Sequence, residues 1–408
     1  MLNQFSITNF RSIKDKVTFD MQAVSITEHA DSLIDGYDGE KYLPISALYG
    51  PNGGGKSNVL LGLHMLFEKI LRPVYLTLHP DVTSVGDLTI DSFKFDSEYS
   101  TRPTEFEIFF STEMAEYKYE IKIFKDEVLY EKLSYFDYQS DPKLLFKREN
   151  GVLSLEDKLE NLNVNDGLSA TLPLLSLLGI TYRNNEVIKD IFHWLIFKIE
   201  FLNFGNPMRE MRLRFPKNPE LQTLLLDMIR EMDIDIVDFR VEEIEDNKID
   251  IITKHRIDDQ EFELNLNYES SGTKKLFKLL PLIALSLVKG EVLVIDELDA
   301  KIHPVLLDYI INLYTNKEIN KNGAQLIFTS HDLSTMNGNN FRRDEIWFVA
   351  KGIEQNSVLY SLVEFKTKDG TSVRKDAKYN KQYLEGKYGA DPYLKKIIDW
   401  RSYDGTSK

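Results

Sequence analysis

Eight residues, Gly50–Ser57 (GPNGGGKS), constrain this chain more than any other stretch. They follow an apolar run, Ile45-Ser46-Ala47-Leu48-Tyr49. They precede Val59, Leu63, Leu66, Phe67 and Ile70, which share one face of a helix. Strand, glycine loop and helix in that order are the setting of a phosphate-binding loop, and the spacing fits G-x-x-x-x-G-K-[ST]. The residue types follow from the task. Glycines let the backbone wrap closely, so that successive N–H groups point inward at phosphate oxygens. The helix starting near Lys56 adds the positive end of its dipole. Lys56 is placed to reach the β- and γ-phosphates and the Ser57 hydroxyl to hold Mg2+. Asn52, Gly53, Gly54, Gly55, Lys56, Ser57 and Asn58 are therefore the candidate ATP contacts.

The rest of the chain decides what kind of nucleotide protein this is. Between Leu88 and Phe136 the apolar period is two: Phe106, Ile108 and Phe110, then Tyr117, Tyr119, Ile121 and Ile123, alternate with charged residues. That is an antiparallel sheet with one buried face, not another βα unit. Residues from about Ser140 to Phe204 read as helices and loops, and Pro219–Met232 as a further helix. Three alternating stretches lie between Ile234 and Tyr268, with turns expected at Asp246-Asn247 and Asp258-Asp259. After Glu269 an α/β texture returns: helix Lys274–Val288, strand Glu291–Ile295, helix Pro304–Tyr314 and strand Gln325–Thr329. The P-loop helix is expected to end near Leu71, ahead of Pro73. No sustained heptad pattern predicts a coiled-coil arm. Three parts are expected: 1–136, an N-terminal ATPase part with the P-loop and an antiparallel lobe; 137–233, a mainly helical insertion; and 234–408, a C-terminal ATPase part.

Three later stretches have the placement of partners to the P-loop. Val292-Leu293-Val294-Ile295 ends in Asp296-Glu297, two carboxylates at the carboxyl end of a buried strand, where open α/β sheets bind ligands. Asp296 suits Mg2+, and Glu297 suits the general base that polarises the attacking water. His331 follows the strand Leu326-Ile327-Phe328 and is placed to donate to a γ-phosphate. Ser270-Ser271-Gly272 opens an amphipathic helix. That start reads either as an ordinary cap or as an anion site touching the γ-phosphate of another subunit.

Together these residues resemble the ABC-type ATPase heads of the SMC, RecF and OLD families. The matched set is Asn9-Phe10-Arg11-Ser12, the P-loop, the Ser-Ser-Gly signature, Asp296-Glu297 as Walker B, and His331 as switch histidine. Asp299–Pro304 (DAKIHP) resembles the D-loop region of OLD-like members. Tyr383–Gly389 looks like the tail of stand-alone ATPases of abortive-infection and phage-defence operons. The resemblance implies an α/β P-loop head with a mixed, largely parallel core sheet, an antiparallel β lobe and a helical insertion. It also implies Asp299 and His303 in the D-loop, Arg11 near the nucleotide, and ATP with Mg2+ held between two copies of the chain. The implied role is a switch over a separately encoded toxin or nuclease, set off by a phage protein. The alternative is a RecF-like DNA-repair or DNA-loading ATPase. The signature departs from the Ser-Gly-Gly-Gln of transporters, no Q-loop glutamine stands out, and the stretch after His331 is too short for the TOPRIM nuclease of OLD enzymes.

Composition limits the partners. The net charge of −15, from 50 basic and 65 acidic side chains, does not favour non-specific coating of nucleic acid. Arg209, Arg212, Arg214 and Lys217 form the best basic cluster. Zero cysteines exclude disulfides and thiolate-ligated metals. The longest apolar run near a helix, Leu279–Val288, is broken by Pro281 and Ser286 and is too short to span a bilayer. With no secretory leader pattern at the N-terminus, the expectation is a cytoplasmic protein without a membrane partner.

Overall fold

In the computed structural model, which describes residues 1–82, 88–138, 141–164, 168–204, 218–232, 234–243, 249–367 and 370–390, the run Ile45–Tyr49 forms strand β5. It lies inside a six-stranded sheet, between β16 (Gln325–Thr329) and β17 (Ile346–Lys351), and runs parallel to both. Beyond β16 come β15 (Val292–Ile295) and β11 (Ile199–Leu202), also parallel, and β18 (Ser357–Ser361) closes the other edge antiparallel. Both faces of this sheet are covered, which is why its strands read as unbroken apolar runs. Val292 and Val294 enter one core, while Leu293 and Ile295 enter the other. Likewise Leu48 faces the first core, and Ile45, Ala47 and Tyr49 the second.

The first core is roofed by α1 (Lys56–Leu78), α2 (Leu174–Thr181), α3 (Glu186–Phe197) and a seven-stranded antiparallel sheet. That sheet takes β1 (Leu2–Thr8), β2 (Val17–Asp20), β6 (Thr104–Ser111), β7 (Glu116–Phe124), β8 (Glu127–Phe136), β9 (Lys143–Glu149) and β10 (Val152–Leu155), with β1 between β2 and β6. The expected alternation sets its register: Phe106, Ile108 and Phe110 oppose Ile121, Tyr119 and Tyr117, all on the buried face. A short hairpin, β3 (Ile34–Asp35) and β4 (Lys41–Tyr42), precedes β5. The second core holds α4 (Pro219–Glu231), α5 (Ser271–Lys289) and α6 (Pro304–Thr315). A three-stranded sheet, β12 (Asp238–Glu243), β13 (Ile249–Ile257) and β14 (Gln260–Asn265), leads into α5. The last described helix, α7 (Tyr379–Leu384), puts Tyr383 in a stacked contact with Phe348, centroids 5.5 Å apart.

Some local expectations are revised. Helix α1 runs through Pro73 to Leu78 instead of stopping near Leu71. An interior proline forfeits a backbone hydrogen bond and costs about 3 kcal/mol in an isolated helix. Here Val74, one residue on, is buried in the first core, and the apolar face continues. The stretch read as helices and loops also contains strands: β9 and β10 extend the antiparallel sheet, and β11 forms an edge of the parallel one. Their runs of four to seven residues are too short for a period to declare itself. The turn at Asp258-Asp259 has φ of 48° and 60°, as a tight hairpin requires. The turn expected at Asp246-Asn247 and the basic cluster Arg209, Arg212, Arg214 and Lys217 lie outside the described residues.

Candidate nucleotide site

Register brings the candidate residues together. Strands β15, β16 and β5 are in step: Ile295 pairs with Phe328, and Thr329 with Leu48. Their carboxyl ends therefore form one rim, just beyond which stand Gly50, Asp296 and Ser330. Here the P-loop and the Asp-Glu pair meet. Ser57 Oγ donates to Asp296 Oδ1 at 3.0 Å, across 239 positions of sequence.

The glycine loop is held from below. Gly50 has φ 155°, and a Cβ there would lie 2.3 Å from the Val349 carbonyl oxygen of β17. Gly55 caps α1 in the left-handed conformation, φ 104°. A Cβ at Gly55 would meet Ser357 Oγ at 2.0 Å and Ser12 Oγ at 2.6 Å. Those two hydroxyls are 2.7 Å apart, Ser357 Oγ also donates to the Gly54 carbonyl, and Asn58 Nδ2 donates to Ser12 Oγ. Asn58 thus holds the loop to the first turn of the chain. Asn52 and Gly53 are exposed at the crown. Lys56 is buried, with Nζ donating to the Gly50 carbonyl at 2.9 Å and to the Pro51 carbonyl at 3.4 Å. Burial pulls its ammonium below the usual lysine value, against the opposing pull of Asp296, Asp299 and Glu297.

The carboxylate side is ordered by a residue not singled out in the sequence. Buried Thr329, the last residue of β16, donates Oγ1–H to Asp296 Oδ1 at 2.6 Å and accepts the Glu297 N–H at 2.8 Å. Asn203 Nδ2 donates to the Asp296 carbonyl at 2.7 Å. Glu297 is exposed and sits at φ 52°, a left-handed conformation uncommon for a side-chain-bearing residue. Asp299 accepts the His331 N–H at 3.1 Å through Oδ2, while its buried Oδ1 has no hydrogen-bond partner among the described residues. His331 is exposed at the rim.

Other candidates take structural places. His303 is the N-cap of α6, its Nδ1 accepting the Val305 N–H at 3.3 Å. Ser270 caps α5, accepting the Thr273 N–H at 3.0 Å; Ser271 is exposed and opens the helix, and Gly272 follows, 3.2 Å from the Lys301 carbonyl by its Cβ position. Arg11 is exposed at φ 49°, next to Ser12 of the loop clamp, its guanidinium 5.7 Å from the Phe10 ring centroid. Asn9, φ 54°, is a clasp: Nδ2 donates to the carbonyls of Tyr99, Arg102 and Pro103, and Oδ1 accepts the Phe93 N–H. Sequence reasoning gave no role to Ser357, Asn203 or Thr329. The one available signal was a threonine ending an apolar strand beside the Asp-Glu strand.

A doubly covered parallel sheet, an antiparallel lobe built from strands before and after the P-loop helix, and P-loop and Walker B residues in contact define an ABC-like P-loop ATPase head. The family model described as "AAA domain, putative AbiEii toxin, Type IV TA system" matches residues 45–337, and the chain belongs to that family. No curated protein matches it. Among solved structures it is similar to the SMC head domain from Thermotoga maritima, 16% identical, over 88% of this chain and 98% of that one, with a TM-score of 0.42. It is also similar to a head with extended coiled coil from Pyrococcus furiosus, 12% identical, over 88% and 96% of the two chains, again at 0.42. No coiled-coil arm is present among the described residues, and none of their helices is long and apolar enough to cross a membrane.

Proposed function

We propose that the chain binds ATP with Mg2+ and hydrolyses it in sites completed between two copies, as a switch over a separately encoded toxin or nuclease in anti-phage defence. The hydrogen bond from Ser57 Oγ to Asp296 Oδ1 carries the hydrolytic reading, because it sets the two groups that share a Mg2+ side by side. The residues fit that ion. Among the described residues no group of three or more acidic or histidine side chains could hold a metal alone. Mg2+ is typically bound by one or two carboxylates, with phosphate oxygens and water completing the shell. When bound, it neutralises charge between the β- and γ-phosphates.

The chain's own groups do the rest. Lys56 places its ammonium at the loop mouth, and the glycine backbone presents N–H groups. Glu297 polarises the attacking water, and His331 donates to the γ-phosphate. The start of α5, where Ser270 and Ser271 are exposed and Gly272 follows, supports a site shared with a second copy, since its own hydrogen bonds stay within the helix cap. The family description, with its AbiEii toxin and Type IV TA system, supports the defence setting.

Glu297→Gln tests the chemistry. ATP binding should persist while turnover falls by about 100-fold or more, and an ATP-bound dimer should accumulate in size-exclusion chromatography. Near-normal turnover in that variant would remove Glu297 as the base. For the wider role, the chain and the product of its neighbouring gene are expressed separately and together under phage challenge. Growth arrest by this chain alone would overturn the separate effector.

A further inference from the structure

We propose that Lys275 is a positioning residue that ties the signature helix to the general base of the same chain, so that contact made by a partner copy at Ser270–Gly272 is felt at Glu297. The inference deepens the reading above and rests on Glu297 as base and on a shared site.

The geometry is specific. Lys275 lies three residues after Gly272, on the same side of α5. Its Nζ donates to the carbonyls of Glu297, Leu298 and Ala300, at 2.9, 2.9 and 2.6 Å. Three donors on one ammonium meet three acceptors in one turn, the full capacity of a lysine. The group is half-buried: burial holds its ammonium below the usual lysine value, against the pull of the Asp299 and Glu297 carboxylates, and Lys301 adds to the lowering.

That turn needs holding. At φ 52° Glu297 is held in a left-handed conformation, which crowds its Cβ against the following carbonyl oxygen. It is restrained on both sides: its N–H by Thr329 Oγ1, its carbonyl by Lys275. The backbone angles of Glu297 set the direction of its Cα–Cβ bond, so a relaxed turn would swing the carboxylate off the attacking water. Gly272 adds a second contact between the two elements, since its Cβ position lies 3.2 Å from the Lys301 carbonyl. A partner's nucleotide that shifts the first turn of α5 would therefore move Lys275, and with it the carbonyl of the base. The expected consequence is cooperative hydrolysis, each site sensing the other.

Lys275→Met keeps the aliphatic stem and removes the three donors. Its turnover should fall about 30-fold or more with ATP affinity changed less than twofold, a split expected of a group acting in the transition state. Cooperativity in ATP should fall as well. Lys275→Arg, which retains donors, should recover most of the turnover. In single-turnover hydrolysis the double variant Lys275→Met/Glu297→Gln should be no slower than Glu297→Gln, because one residue acts through the other. Losses that multiply, or turnover of Lys275→Met within about threefold of wild type, would overturn the coupling. Thermal melting separates unfolding from this effect. If the methionine variant melts early, Lys275→Gln takes its place, and wild-type turnover there overturns the proposal equally. Full activity of Glu297→Gln alone would instead defeat the base assignment, whatever Lys275 does.

Discussion

Thr329→Val tests the carboxylate side of the site with little change of shape. The substitution replaces a hydroxyl by a methyl group at a fully buried position. It removes a donor to Asp296 Oδ1 at 2.6 Å and an acceptor for the Glu297 N–H at 2.8 Å. A hydrogen bond to a charged group contributes about 1.5–3 kcal/mol, and an ordinary one about 1. If both act in positioning Asp296 and Glu297 for the reaction, about 2.5–4 kcal/mol of transition-state stabilisation is lost. That corresponds to a fall in turnover of about 70- to 1000-fold. Lys56 and the glycine loop make no hydrogen bond to Thr329, so ATP affinity should change by less than about threefold. Turnover and equilibrium binding of a fluorescent ATP analogue are measured on the same preparation, with Thr329→Ser as control. The serine variant keeps the hydroxyl and should stay within about threefold of wild type. Wild-type turnover in Thr329→Val, or a loss seen equally in binding, would refute the reasoning.

Two further expectations follow from burial and backbone geometry. Gly55→Ala should weaken ATP binding at least about 10-fold and lower the melting temperature, since a left-handed backbone costs about 1–3 kcal/mol there and the new methyl meets Ser357 and Ser12. Ser357→Ala in that background should restore only part, because the strained φ remains; full recovery would show that the clash alone mattered. Glu345, buried before β17, accepts the Arg342 N–H at 2.7 Å, and burial raises its carboxyl well above the usual value, with Asp344 adding to the effect and Arg342 opposing it. The folded value lies above the unfolded one, so its contribution to stability is full below the unfolded value and is lost as pH rises through the folded one. Glu345→Gln removes this titration. Its melting temperature relative to wild type should rise from pH 5 to pH 8, and a constant difference would contradict the assignment.

Much of this architecture is legible in the sequence because it is local. A glycine loop declares its left-handed turns. A strand buried on both faces, such as Val292–Ile295, declares itself by an unbroken apolar run, and one buried on a single face, such as Tyr117–Ile123, by alternation. The chemistry of Lys56, Ser57, Asp296 and Glu297 is likewise written in residue type and in position after a strand or at a helix start. What the sequence could not express is which distant polar groups meet. Only the register of β15, β16 and β5 brings Ser57 to Asp296 and turns Thr329 into a bridge between two carboxylate residues. Only packing of α5 against the turn at Glu297 gives Lys275 three carbonyls, and only closure of the sheet edge by β18 brings Ser357 to Ser12 under the P-loop. Pro73 makes the same point in reverse: local propensity ends the helix, and burial of Val74 continues it. Backbone conformation and burial pattern are properties of neighbouring residues, whereas a hydrogen bond across hundreds of positions exists only once the layers are stacked.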